Sequence, residues 1–164
     1  MKEDMNAHSA DSAALLRHTL ATLAYRSAKA LRGAPPEFAS YRADATSRTP
    51  AEILAHMGDL FDWALSIANG KQAWHDSVPL AWDQEAARYF AALEAFDRRI
   101  AEGPMEVSAE KLFQGPVADA LTHTGQLAML RRMAGCAFRG ENYFVADIAL
   151  GRWGMEQPAP RREF

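Results

Sequence analysis

"TPAEILAHMGDLFDWALSIANG", residues 49–70, decides the fold. Thr49 stands where an N-cap belongs, Pro50 fills the first helical position, and Glu52 completes a capping box. Ile53, Leu54, Met57, Leu60, Phe61, Ala64, Leu65 and Ala68 then recur at steps of three and four, the period of one apolar helix face. Asn69-Gly70 supplies a left-handed stop. Twenty helical residues rise about 30 Å, the length of a bundle helix. One polar residue, His56, sits on or beside that stripe, between Ile53 and Leu60.

Three more segments carry the same period. Residues 11–31 place Leu15, Leu16, Leu20, Leu23 and Ala30 at helical spacing, and Gly33 with Pro35-Pro36 ends them. Phe38 and Tyr41 are the anchors expected in the connection that follows. Residues 84–102 repeat Ala87, Phe90, Leu93, Phe96 and Ile100, with Asp83 as the expected cap and Gly103-Pro104 as the stop. Residues 116–134 begin at Pro116 and end before Gly135. "SAEKLFQG" ahead of them holds one short turn at most. Beyond Gly135 the pattern predicts a short extra helical segment and an irregular tail. No stretch alternates as a strand does, and nothing repeats. The expectation is all-α: a four-helix bundle with helices near 50–69, 11–31, 84–102 and 116–134, forming one domain over residues 1–164. A chain of 164 residues can bury about 70% of its unfolded surface, enough for a full core.

The bulk numbers exclude several functions. Net charge is −3, with 49% hydrophobic and 24% charged residues. Nucleic acid needs clustered Lys and Arg, and Arg131-Arg132 and Arg161-Arg162 are too few. No uncharged apolar run approaches the ~20 residues that cross a bilayer. The N-terminal stretch lacks the apolar core of a signal peptide. Cys136 is the one cysteine, so no internal disulfide forms, and a reducing, cytoplasmic setting fits. Its plain reading is a small packed side chain rather than a nucleophile.

The last helix contains "DALTHTGQLAMLRR", residues 119–132. Asp119 and His123, four apart, stack on one face, and Gln126 lies within reach. Bundle metal sites are built from such side chains on facing helices. His56, His123 and Asp119 make two imidazoles and a carboxylate, a three-ligand set that leaves positions open for water or substrate. The competing reading pairs Asp119 with His123, or leaves Asp119 in the first turn facing solvent, where the helix dipole favours it. His18 and His75 are read as surface residues, Asp59 and Asp62 as solvated helix charges, and Glu52 as the capping box.

The patterns "RTPAEILAHMGDLFDWA" and "ADALTHTGQLAMLRRMAG", continuing into "GENYFVADIALGRWG", resemble the DinB superfamily over about residues 45–155. The resemblance implies a four-helix bundle with a metal held by three histidines, one in the second helix and two four apart in the fourth, often before a Gly-Gln pair. His56 and His123 take two of those positions, and Gly125-Gln126 stands where the pair is expected. Asp119 replaces the remaining histidine, which leaves the divalent transition metal (Zn, Ni or Fe) open. The resemblance further implies a metal-dependent enzyme acting on a small-molecule substrate. That reaction would be a transfer or isomerisation using a low-molecular-weight thiol, or a hydrolysis. The alternative is a non-catalytic binding or assembly bundle with an empty or vestigial site. Phe138, Tyr143, Phe144 and Trp153 in the tail either strap back over the bundle or meet a second copy. The resemblance favours a homodimer.

Overall fold

The structure, a computed structural model, describes the backbone of residues 2–164 and the side chains of residues 11–164. Among these residues it is all-helical, with four long helices and no strand. The first, α1 (Lys2–Leu31), begins nine residues before the expected Asp11. No Gly or Pro lies between the two points to stop it. A 3-10 turn, Pro36–Ser40, follows, with Phe38 fully buried in it.

The second helix, α2 (Pro50–Ala68), starts as its local sequence dictates. Thr49 Oγ1 accepts from the Glu52 N–H at 3.2 Å. The Thr49 N–H donates to Glu52 Oε2 at 2.6 Å, so both halves of the capping box are made. Gly70, at φ +74°, supplies the left-handed stop.

The third, α3 (Trp82–Ala101), departs from expectation at its start. The N-cap is Ala81, without a side-chain bond. Asp83 is therefore not the cap. Glu85 does the work from inside the first turn, its Oε2 accepting the Leu80 N–H at 2.8 Å.

The fourth helix, α4 (109–133), corrects the expected start at Pro116. Ser108 caps it, and Ala109–Leu112 is α-helical. Phe113–Val117 continues as a π turn, and Ala118–Met133 is α-helical again. Pro116 has no N–H to donate, and the ladder widens around it: the Ala118 N–H reaches Phe113 O, five residues back. One residue inserted into the α register turns everything downstream by about 100°. Asp119 and His123 lie just downstream.

The core runs through all four helices, with Leu20, Leu54, Phe61, Tyr89, Phe96 and Leu127 among its fully buried members. The packing of α2 against α3 is the most extensive. Polar ties fix the remaining helices. Arg17 on α1 grips Asp97 on α3 with two bonds of 2.8 and 2.9 Å. Arg131 is buried. It donates to the carbonyls of Ala30, Arg32, Gly33 and Cys136. It therefore satisfies the open carbonyl end of α1 and places a cation at that helix's negative pole.

The tail straps back over its own bundle. Lys29 of α1 binds Glu141 at 2.8 Å and Glu163 at 2.9 Å. Tyr25 donates to Glu141 at 2.6 Å, and one isolated bridge joins Glu141 to Glu163. Gly140 lets the chain ends meet: a Cβ there would stand 2.7 Å from the Phe164 ring. Cys136, Phe138 and Trp153 pack against the core, while Phe144 is 96% exposed. The expected short helical segment is the 3-10 turn Tyr143–Val145. Among the described residues no helix is long and apolar enough to cross a membrane.

Candidate metal centre

The two helices with the strongest sequence signals, α2 and α4, bring His56, Asp119 and His123 together. His56 Nε2 lies 3.4 Å from Asp119 Oδ2. His123 Nε2 lies 3.4 Å from Asp119 Oδ1. The imidazole centroids are 4.9 Å apart, with the rings nearly perpendicular at 89°. One ligand atom from each of the three residues lies within 4.8 Å of the other two.

These distances bear on what the cluster can hold. A charge-assisted N–H···O bond has a length of about 2.7–2.9 Å, and both contacts are longer. Two donors each about 2.1 Å from one ion, in tetrahedral arrangement, stand about 3.4 Å apart. The three groups are therefore spaced so that they could share a cation, and the direct contacts are long.

The ring orientation suits it too. His123 Nδ1 and Gln126 Oε1 are 2.7 Å apart. With the amide oxygen accepting, Nδ1 carries the proton and the Nε2 lone pair faces Asp119. That is the arrangement in which an outer partner fixes the tautomer of a ligating histidine. Burial pushes the His56 pKa below its usual value. The contact with Asp119 opposes this, and the charges of His123 and Arg48 add to it. A neutral imidazole is the form that binds metal.

Access is one-sided. The His56 and His123 side chains are 18% and 11% exposed, and Asp119 is 46% exposed. Trp74, from the loop between α2 and α3, stands edge-on to His56 with centroids 5.6 Å apart. Arg48 and Ser47 form the wall shared by two clefts beside the centre. One cleft is bordered by His123 and the other by His56.

One turn further along α2, a second group of possible ligands comes together: Asp59, Asp62 and His75. His75 is exposed as expected and the Asp62 side chain stays 39% exposed, but the reading of Asp59 as a solvated charge needs correction. Asp59 is buried, and accepts the Ser77 N–H at 2.8 Å and the Ser77 hydroxyl at 2.6 Å. His75 Nε2 lies 3.0 Å from Asp59 and 3.4 Å from Asp62. Arg88 of α3 reaches into the group, 3.1 Å from Asp59, 3.2 Å from Asp62 and 2.6 Å from buried Glu85. Gly58 makes room for it, since a Cβ there would meet the guanidinium at 2.6 Å.

Local patterning could not show Arg88, which comes from another helix. The one available signal was Gly58, an unexplained glycine inside a helical run. His18 is exposed as expected. Comparison with known proteins adds no relative: no family model matches the chain, and no curated protein and no solved structure matches it.

Proposed function

We propose that His56, Asp119 and His123 hold a divalent transition-metal ion, Zn, Ni or Fe, and that the protein is a DinB-like metal-dependent enzyme acting on a small molecule. The observation that carries this reading is the pair of 3.4 Å separations about Asp119, together with the Gln126 contact that turns His123 Nε2 inward. Three protein ligands leave coordination positions free, as catalytic centres require and structural ones do not. A half-exposed carboxylate on the rim gives a substrate its approach. The ion would supply Lewis acidity, polarising a carbonyl or favouring the ionised form of a thiol or of water. The chain's own contribution is to hold two neutral imidazoles and one carboxylate at fixed separation.

Transfer or isomerisation with a low-molecular-weight thiol extends this reading, on the strength of the sequence resemblance alone. The same holds for a homodimer, for which fully exposed Phe144 is the natural contact point.

Metal analysis of protein purified without added metal is the test. Near-stoichiometric Zn, Ni or Fe supports the proposal, and X-ray absorption should report two nitrogen and one oxygen protein ligands. Protein that carries no metal and takes none up on titration overturns it. The chain is then a binding or assembly bundle.

A further inference from the structure

We infer that the cleft beside His123 binds a small amphiphilic carboxylate, with Arg48 gripping the carboxylate and the apolar body lying against Ile53, Met129 and Leu130. The cleft is open to solvent, has a volume of about 420 Å³ and is largely apolar. Met129 stays 58% exposed beside it, so this apolar surface is available to a ligand.

The polar groups of the cleft decide the sign of that ligand. Ser47 is committed, its hydroxyl donating to Asp44 O at 3.0 Å. Gln126 Oε1 is committed to His123, which leaves the amide N–H groups as what Gln126 can offer. Arg48 adds a guanidinium. On the same loop, Arg42 is paired with Glu52 at 3.2 Å, whereas Arg48 has no carboxylate partner among the described residues. No carboxylate borders this cleft. The wall therefore presents donors and positive charge, and the complementary group is an anion with planar acceptors, for which a guanidinium fork is suited. The neighbouring cleft, beside His56, carries Glu52, Asp59 and Asp76 together with Arg42 and the same Arg48, so its wall is of mixed charge, whereas the charged group of the His123 cleft is Arg48.

As a substrate assignment this rests on the metal-centre reading, but the carboxylate contact is measurable without metal. The test is calorimetric titration of octanoate and of 1-octanol into metal-free and Zn-loaded full-length protein, alongside a separate zinc titration. Octanoate should bind in both forms and more tightly than octanol. Arg48→Ala should weaken octanoate about tenfold, the loss of one charge-assisted contact, and leave octanol unchanged. Arg48→Lys should retain part of the affinity, because it keeps the charge and loses the fork. Arg48 is exposed and has no carboxylate partner among the described residues, so both variants should keep the wild-type thermal midpoint.

Octanoate binding that is absent, matched by octanol, or indifferent to Arg48→Ala overturns the inference. Wild-type protein that binds octanoate through Arg48 yet takes up no zinc leaves the carboxylate site standing and removes the metal centre.

Discussion

Two clusters of histidine and carboxylate lie one turn apart on α2, and they differ in where the positive charge comes from. Around Asp59 and Asp62 the protein supplies its own cation, Arg88, at 3.1 and 3.2 Å. Around Asp119 no Arg or Lys is within ion-pair distance among the described residues, and two imidazoles face one carboxylate at 3.4 Å. In both groups one ligand atom from each residue lies within 4.8 Å of the others. The chemistry separates them. Arg88 fills the first cluster from within and repels an incoming ion, although one guanidinium does not balance the carboxylates of Asp59, Asp62 and Glu85. The second has spacing and ring orientation that an ion would complete. A list of His and Asp neighbours is therefore not yet a metal site, and the charge balance has to be taken with it.

The largest expected effect comes from removing the internal cation. Arg88→Ala takes the guanidinium from buried Asp59 and Glu85, which keep only Ser77, His75 and the Leu80 N–H, and breaking a buried pair in this way is strongly destabilising. The loss should be about 3 kcal/mol, near the low end of such cases because the guanidinium keeps some solvent contact. Urea denaturation of metal-free protein measures it. A midpoint unchanged from wild type would mean that the Arg88 network is ornamental and the contrast between the clusters is false.

Next in size is the ligand itself. Asp119→Ala should lower zinc affinity at least ~100-fold, since even outer partners of a metal ligand are worth 10–100-fold. Asp62→Ala should leave zinc affinity as it is. Competition against a chromophoric chelator reads both. Equal losses in the two variants would mean that zinc binds at the second cluster, Arg88 notwithstanding. Asp119→His should restore tight binding with an altered preference among Zn, Ni and Fe.

A smaller loss tests orientation rather than ligation. Gln126→Ala removes the 2.7 Å partner of His123 Nδ1 and frees the ring to change tautomer. Zinc affinity should fall about tenfold, and Gln126→Glu should recover it, because a carboxylate accepts from Nδ1–H at least as well as an amide. Loss of affinity in both variants would show that Gln126 acts through packing and not through the tautomer.

How much of this was legible in the sequence depends on the range of the interaction. The Thr49–Glu52 box was readable because both of its bonds span three residues. His56, Asp119 and His123 were readable as a group because each falls on or beside an apolar stripe, and two stripes that share a core must meet. The start of α4 was misread. Proline favours a first helical position in isolation, but the apolar surface of Leu112, fully buried, holds the preceding turn in the helix. The ladder widens at Pro116 to allow it. Asp59 was misread because its partners, Ser77, His75 and Arg88, lie outside its own helix, so the charge pattern along that helix could not distinguish a buried network from a solvated face.

The smallest effect is the pH response of the metal-free protein, and its sign distinguishes the two clusters. Burial is the leading cause on both sides: it lowers the His56 pKa and raises that of Asp62. For His56 the Asp119 contact opposes the shift, while His123 and Arg48 reinforce it. For Asp62, Arg88 and His75 oppose the shift and Asp59 reinforces it. A histidine depressed in the folded state binds its proton more readily when unfolded. Its stabilising share is therefore present above the ordinary histidine pKa of about 6.5 and is lost as pH falls through the folded value. A raised carboxylate behaves in the opposite sense: its share is present below about 3.9 and is lost as pH rises through the folded value. Between neutrality and pH 5 the His56 contribution should dominate, and stability should decline on acidification. His56→Gln should flatten that decline, whereas Asp62→Asn should leave it in place. Zinc should steepen the wild-type curve over the same range, because protons and metal compete for the imidazole nitrogen. The measurement is a series of urea midpoints from pH 7.5 to 5, with and without zinc. A decline that survives His56→Gln would remove His56 as its source, and one that vanishes in Asp62→Asn would mean that the Asp62 pKa is lowered rather than raised by folding.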